Sequence, residues 1–209
     1  MEERFTFLDV LKNYYSSTEI NILHHKKIGI AGAGGIGSNC AITLVRCGFS
    51  HFSIADFDRV TISNLNRQIY LAEHNNRLKV KCLQELCSAI NPAVRIDTFP
   101  VRVDSTSVRD IFNSCDIIIE AFDDPESKTL LFNEYLHSGK LLVGVSGISG
   151  IGNSDRIAIR KIHENCFIVG DETTGVSESQ KPYAPIVTIA AAKMADLVLS
   201  KVLGRQPTS

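Results

Sequence analysis

A glycine-rich turn, Gly32-Ala-Gly34-Gly35-Ile-Gly37, is the clearest candidate for chemistry in the sequence. Gly32 permits a tight turn, Gly34 lets a phosphate approach the backbone, and Gly37 allows the following helix to pack closely. The N-terminus of such a helix offers free N–H groups and the positive end of a dipole to an anion. We therefore predict a phosphate site at these four glycines, and the alternative is a packing loop that binds nothing.

Polar residues beyond this turn narrow the choice of nucleotide. Asp56 follows the turn by roughly 20 residues, where an acidic residue binds a ribose hydroxyl. Up to this point ATP and NAD fit equally well, because both present a ribose and phosphates. A Walker-type phosphate loop is excluded, since no Lys-Ser/Thr pair follows Gly37. A dehydrogenase usually begins a plain helix at this point, but here the stretch from Asp56 to Lys79 is rich in polar groups. Its candidate nucleotide contacts are Asp58, Asn64, Arg67, Gln68 and Lys79.

Arg67 and Lys79 are the cations that we expect to contact phosphate. The planar guanidinium of arginine matches phosphate oxygens, and Lys79 stands where the next helix should begin. Taken singly, each residue could be an ordinary surface charge. The density of the whole run favours a triphosphate over a nicotinamide.

Alternating strands and helices are needed to position these residues. Short apolar runs predict strands over 27–32, 52–56, 94–99, 116–121, 141–145 and 156–162. Helical periodicity predicts helices over 36–47, 77–90, 107–113, 126–137 and 185–203. The alternation indicates an α/β fold, with a Rossmann-like, doubly wound and mainly parallel sheet flanked by helices. The alternating polarity of 156–162 favours an antiparallel edge strand with one wet face.

The same patterns predict the domain organisation. Residues 1–25 should form an N-terminal helical segment, and 26–209 a single ATP-binding domain. A long polar loop, 170–185, precedes the last helix, and loops of that length are usually functional or disordered. The glycine-rich stretch 144–152 is either a backbone groove at the ligand crevice or a flexible connection. The apolar last helix suits homodimer packing, although core burial alone would explain it.

Composition excludes several classes of protein. The 209 residues have a formal net charge of -1, with 44% hydrophobic and 22% charged residues, as in an ordinary globular protein. This charge balance argues against a nucleic-acid binder. The start of the sequence has no basic region leading into an apolar run, and no stretch is long enough to span a bilayer. We expect a cytoplasmic protein without nucleic-acid or membrane partners.

Cysteine and histidine usage points away from a zinc site. None of the six cysteines forms a Cys-x-x-Cys pair, so no zinc is expected. We expect Cys166 to be a buried structural residue rather than a reactive thiol. None of the six histidines lies in a motif that looks catalytic.

The motifs together resemble the ThiF/MoeB/HesA family of ubiquitin-activating-type adenylyltransferases, and within it the short form of ThiF. The resemblance covers residues 20–204. It depends on the glycine turn, the run Ser63-Asn64-Leu65-Asn66-Arg67-Gln68, a Lys-Val helix ending in Asn-Pro, and a strand ending near Asp123-Asp124. The Ser-Asn-Leu-x-Arg-Gln run is far more discriminating than the glycines.

The resemblance implies an activity and a role for each matching residue. The C-terminal glycine carboxylate of a ThiS-like, ubiquitin-fold carrier ending in Gly-Gly would attack the α-phosphate of ATP. An acyl-adenylate would form in thiamine biosynthesis and pyrophosphate would leave. Asp56 would bind the ribose, Asn64, Arg67 and Lys79 the triphosphate, and Asp123 a Mg²⁺ ion. The alternative for Asp123 is a helix N-cap, although Asp124 is the more natural cap because Pro125 follows it.

The sequence also departs from the family pattern. It lacks the two Cys-x-x-Cys pairs, a cysteine in the loop 170–185, and the Arg-Tyr-x-Arg-Gln run near the N-terminus. We therefore predict activation without a covalent thioester, with Arg4 or Lys181 as the candidate replacement for the missing arginine. An NAD-dependent oxidoreductase, a family member acting on tRNA or a peptide, and a non-catalytic scaffold remain as alternatives.

Overall fold

One seven-stranded sheet organises the residues described by the computed structural model, which are 6–152, 154–175 and 180–205. The strands are β1 Lys27–Ala31, β2 His51–Ala55, β3 Arg95–Phe99, β4 Ile117–Glu120, β5 Leu141–Val145, β6 Ala158–His163 and β7 Cys166–Gly170. The helices are α1 Phe7–Leu11, α2 Ser17–His25, α3 Gly35–Arg46, α4 Lys79–Ile90, α5 Ser107–Phe112, α6 Pro125–Tyr135 and α7 Ala184–Leu203. Short 3₁₀ turns cover Ile62–Asn64, Ala72–His74 and Ser154–Arg156.

The strand order is β3-β2-β1-β4-β5-β7-β6, and every neighbouring pair is parallel except β6 with β7. The order reverses between β1 and β4, and ligands bind beyond the carboxyl ends of strands at such a switch point. The structure thus confirms the Rossmann-like fold with an antiparallel edge. The glycine turn, which follows β1, lies at this switch point.

Helices cover both faces of the sheet. One apolar cluster joins α3, α4 and α7 to the sheet and includes Leu44, Leu83 and Ala191. A second cluster joins α5 and α6 to the other face and includes Phe112 and Leu131. The central strands are buried on both faces, which explains their nearly continuous apolar sequences.

The last helix shows why its sequence is apolar on most sides. Eight of its residues are buried in the first cluster: Ile186, Val187, Ala190, Ala191, Met194, Ala195, Leu197 and Val198. Packing within the chain therefore accounts for most of this apolar surface, and α7 alone gives no support for a dimer. Among the described residues, no helix is long and apolar enough to cross a membrane.

Two local expectations were wrong. All six residues of β6 are exposed, so this edge strand has two wet faces instead of one. Residues 77 and 78 do not belong to α4, because Leu78 is extended and pairs with Arg59 in an isolated bridge. The helix begins at Lys79, whose N–H donates to the carbonyl of Asp58.

The first two helices begin with capping boxes. Thr6 and Asp9 cap α1 reciprocally, and Ser16 and Glu19 do the same for α2. Leu23 of α2 is fully buried in the first apolar cluster. The boundary at residue 25 stays a prediction, because this segment packs on the same core as the sheet.

Candidate nucleotide-binding site

A cavity of about 870 Å³ lies at the carboxyl ends of the central strands. That volume is typical of small-molecule sites. The predicted residues that line it are Gly32, Gly34, Gly35, Asp56, Asp58, Asn64, Arg67, Gln68, Lys79 and Asp123. The fold therefore brings together residues from four separate sequence segments around one space.

The glycines of the turn serve different purposes. A Cβ atom on Gly32, whose φ is +100°, would lie 2.6 Å from the carbonyl oxygen of Ala121. A Cβ atom on Gly37 would lie 1.8 Å from the carbonyl oxygen of Gly32, so this glycine is needed for packing and does not line the cavity. A Cβ atom on Gly34 would meet nothing closer than Gln68 Nε2 at 3.9 Å. Gly34 thus leaves open space at the N-cap of α3.

Asp56 joins the glycine turn to the polar run. Its Oδ2 accepts the N–H of Ala33 at 2.7 Å, and its Oδ1 accepts the N–H of Asp58 at 2.8 Å. Burial raises the pKa of Asp56, while the nearby Lys79 and the two N–H donors oppose that shift. Because each carboxylate oxygen can accept a second hydrogen bond, Asp56 keeps acceptor capacity for a ribose hydroxyl.

Lys79 places a buried positive charge at the cavity. Its Nζ lies 2.6 Å from Asp58 Oδ2, and its side chain is 7% exposed against 47% for Asp58. Water can therefore solvate the carboxylate but hardly reaches the ammonium. The ion pair with Asp58 holds the ammonium group of Lys79 in place. An incoming phosphate would compete with Asp58 for this ammonium group.

The segment that contains Arg67 is tied to the glycine turn. Asn39 of α3 donates from Nδ2 to the carbonyls of Gly35, at 2.7 Å, and Arg67, at 3.0 Å. The Arg67 Nη1 donates to the Ser63 carbonyl at 3.1 Å and to Asn66 Oδ1 at 2.8 Å. These bonds leave the other guanidinium N–H groups available to a ligand.

Asn64 and Gln68 complete this side of the cavity. Asn64 Oδ1 accepts the N–H of Thr61 at 3.1 Å and thereby shapes the 3₁₀ turn. Gln68 is 9% exposed, and its buried Oε1 has no hydrogen-bond partner among the described residues. A hydrogen bond from a bound ligand would satisfy this buried amide oxygen, which lies beside the glycine turn.

Sequence reasoning missed two cations that line the cavity. One is the exposed Arg102, and the other is Lys128. Its Nζ lies 3.0 and 2.9 Å from the two carboxylate oxygens of Glu120 and 3.2 Å from the carbonyl oxygen of Val145. Glu120 is fully buried, and burial raises its pKa while Lys128 opposes the shift. The available signal was the acidic residue at the end of an apolar strand, since a buried charge needs a partner.

Asp124, rather than Asp123, caps α6. Asp124 Oδ1 accepts the N–H of Ser127 at 2.8 Å, as expected for an N-cap before Pro125. Asp123 is exposed, lines the cavity and makes no hydrogen bond or ion pair within the described residues. Its carboxylate suits Mg²⁺, which binds through one or two carboxylates together with substrate phosphates. The described residues contain no group of three or more metal-binding side chains, so a metal here would depend on the nucleotide.

The two candidates for the missing N-terminal arginine are Arg4 and Lys181. Arg4 lies outside the described residues. Lys181 is exposed and does not line the cavity, although its carbonyl accepts the N–H of Gly150 at 2.9 Å. Of the polar loop 170–185, residues 176–179 also lie outside the described part.

Five of the six cysteines are buried, and Cys47 is half-buried. Cys166 is 1% exposed at the start of β7, and burial raises its pKa. We expect Cys166→Ala to keep carrier activation within about twofold of the unsubstituted protein, since a buried thiol is inert. Measuring activation together with non-reducing electrophoresis checks this, and a covalent carrier adduct lost in the variant would contradict it.

Comparisons of the sequence with known proteins find one family and several relatives. The ThiF family model matches residues 11–209. The adenylyltransferase and sulfurtransferase UBA4 of Candida glabrata is 30% identical over 188 residues, which is 87% of this chain and 43% of the relative. The sulfur carrier protein adenylyltransferase of Thermus thermophilus is 32% identical over 122 residues, 58% of this chain and 45% of the relative. The chain thus spans less than half the length of these curated relatives.

Solved structures show the same fold. The Escherichia coli tRNA N6-threonylcarbamoyladenosine dehydratase in complex with ATP superposes with a TM-score of 0.85, at 19% identity and 93% coverage of both chains. At this identity the likeness concerns the fold alone. With the family match over nearly the full length, it leads to one conclusion: the chain belongs to the ThiF family.

Proposed function

We propose that the chain is an ATP-dependent adenylyltransferase that activates the C-terminal carboxylate of a small, ThiS-like carrier protein ending in Gly-Gly. The observation that carries this proposal is the set of cations around one cavity, Arg67, Lys79, Arg102 and Lys128, beside a glycine turn at a helix N-terminus. Such a site suits a polyphosphate. The names of the curated relatives, which include a sulfur carrier protein adenylyltransferase, support the choice of substrate.

The chemistry requires positioning more than proton transfer. A C-terminal carboxylate is already ionised at neutral pH, so no general base is needed. The difficulty is to bring two anions together and to stabilise charge on the α-phosphate. We assign to Lys79 and Arg67 the role of binding the triphosphate, and to Asp56 the role of orienting the ribose.

Asp123 is the residue that we propose to hold Mg²⁺. When bound, the ion would neutralise part of the charge on the phosphates. Asp123→Asn should raise the Mg²⁺ concentration for half-maximal exchange by about tenfold, because the ion loses a charged ligand. A Mg²⁺ titration of the exchange rate checks this. Glu126→Gln, which changes an exposed carboxylate in the first turn of α6, is the control. An unchanged titration for Asp123→Asn would refute the assignment.

An NAD-dependent oxidoreductase is a weaker explanation of the site. Among the described residues that line the cavity there is no histidine, whereas several are cations. A tRNA substrate has only the fold likeness at 19% identity to support it.

Assembly as a homodimer is supported by the exposed Ile159 and Ile162 on the open edge strand, and sedimentation velocity tests it. Thiamine biosynthesis is the pathway that we propose for a ThiS-like carrier.

Pyrophosphate–ATP exchange tests the proposed function. We expect exchange that depends on both the enzyme and a ThiS-type carrier, and that disappears when the carrier lacks its final Gly-Gly. Exchange without any carrier, or none with a series of Gly-Gly-ended carriers, would overturn the proposal. Isothermal titration with NAD in place of ATP distinguishes the oxidoreductase, which requires the dinucleotide to bind.

A further inference from the structure

Part of the cavity wall is a bend, residues 146–150, that follows β5. Ser146, Gly147, Ile148 and Ser149 of this bend line the cavity. Thr174, in the loop after β7, lines it as well. The bend is irregular, since Gly147 and Gly150 have φ values of +75° and +86°. Some interaction must therefore fix its shape.

Arg156 and Asp171, which do not line the cavity, connect to this bend from behind. Asp171 Oδ2 lies 2.9 Å from Arg156 Nε, and the two side chains are 6% and 27% exposed. The Nη2 of Arg156 donates to the carbonyl of Ser149. The N–H of Asp171 donates to the carbonyl of Gly147 at 3.0 Å. The Arg156 side chain thus holds the bend at Ser149, and the backbone of residue 171 holds it at Gly147.

Asp171 also fixes the loop against the bend. Its Oδ1 accepts the N–H groups of Thr173, at 2.9 Å, and Thr174, at 2.8 Å. Thr174 Oγ1 in turn accepts the N–H of Ser149 at 3.2 Å. A Cβ atom on Gly147 would lie 2.1 Å from Asp171 Oδ1, so the carboxylate packs directly on this glycine. A largely buried ion pair adds little net stability, and its geometric effect is the better explanation for it.

Three polar groups of the bend have no hydrogen-bond partner in the part of the chain that the structure describes. Ile148 makes no hydrogen bond within the described residues, so both its N–H and its carbonyl are available. The hydroxyl of Ser149 is fully buried and has no partner among those residues. Backbone groups and a hydroxyl are the partners that an extended peptide uses when it docks through its main chain. A tail of glycines has no side chains to keep it away.

We propose that the Arg156–Asp171 ion pair is a positioning element that presents the Ile148 backbone and the Ser149 hydroxyl to the extended C-terminal tail of the substrate protein. The inference rests on the proposed function, because it requires a peptide tail to enter the nucleotide cavity. Arg156 and Asp171 act through the bend and do not touch the substrate. Their loss should therefore affect the tail more than ATP.

Arg156→Met and Asp171→Asn, in the full chain, test the positioning role. The probe is the ThiS-type carrier, and exchange is measured while ATP and carrier are varied separately. We expect the KM for the carrier to rise by about tenfold or more, because a misplaced contact is costly, while the KM for ATP stays within about twofold. Arg160→Met is the matched control. It removes a 2.9 Å ion pair between Arg160 of β6 and Glu172, the neighbour of Asp171, and the side chain of Arg160 is 66% exposed.

Ser149→Ala separates substrate binding from stability. It removes a buried hydroxyl that lacks a partner, so the melting temperature should stay the same or rise. The KM for the carrier should nevertheless increase by roughly threefold or more, since one hydrogen bond is lost. A purely structural role for this serine cannot raise stability and weaken carrier binding together.

The outcomes distinguish the two proposals. Carrier KM values equal to that of the Arg160→Met control, with exchange intact in the unsubstituted protein, would overturn this inference alone. Equal increases in the KM for ATP and for the carrier would also overturn it. No carrier-dependent exchange in the unsubstituted protein would overturn the proposed function and this inference with it.

Discussion

Lys79→Met is expected to reduce carrier-dependent pyrophosphate–ATP exchange by about 10²- to 10³-fold, the usual cost of losing one preorganised charge-stabilising group. Lys79 is the most buried cation of the site, at 7% side-chain exposure, and is therefore the least screened by water. Initial exchange rates at saturating ATP and carrier measure the effect. The fold should survive, because methionine fills the same space and the half-exposed Asp58 can be hydrated.

Lys81→Met is the matched control for this substitution. Lys81 is an exposed lysine two residues further along α4, and its loss should leave exchange unchanged. Circular dichroism of both variants shows whether the helix is intact. Undiminished exchange in Lys79→Met, or an equal loss in Lys81→Met, would show that Lys79 does not contact the reacting phosphates.

Gly37→Ala should lower the stability of the fold, whereas Gly34→Ala should lower the affinity for ATP. In Gly37→Ala the new Cβ would lie 1.8 Å from the Gly32 carbonyl oxygen, and neither backbone segment can move easily. We expect a loss of about 3 kcal/mol or more in the free energy of unfolding. The melting temperature should fall by roughly 10 °C. Thermal unfolding followed by circular dichroism measures this change.

In Gly34→Ala the new methyl group enters open space, because its nearest neighbour is 3.9 Å away and φ is -78°. Stability should be almost unchanged. The affinity for ATP should fall by about tenfold, since the methyl group occupies the place where a phosphate approaches the backbone. Calorimetric titration with ATP is the check. Unaltered affinity in Gly34→Ala would mean that the glycine turn serves packing alone.

The sequence was a good guide where the signal is local. Strand and helix periodicity located the elements, because burial on one or both faces repeats along the chain. Gly32, Gly34 and Gly37 were distinguishable because each position in a strand–turn–helix unit has its own steric requirement. Asp124 could be chosen as the cap over Asp123 because the cap precedes Pro125 directly.

Side-chain pairs between separate elements could not be predicted in the same way. Glu120 and Lys128 meet because β4 ends where the first turns of α6 pass, and no periodic pattern encodes that contact. The pairing of Arg156 with Asp171 depends on how β6 and β7 form a hairpin. The alternation in β6 correctly indicated a strand, but it carried no information about which layers would cover its faces.

Transfer of the adenylyl group is the most direct test of the account. The enzyme is incubated with the ThiS-type carrier and ATP labelled at the α-phosphate, and the carrier is then analysed by intact-mass spectrometry. We predict a carrier bearing one labelled adenylyl group, with release of pyrophosphate and no covalent link to the enzyme. A carrier that gains the mass of an unlabelled phosphoryl group, or an unmodified carrier beside unconsumed ATP, would contradict the central claim.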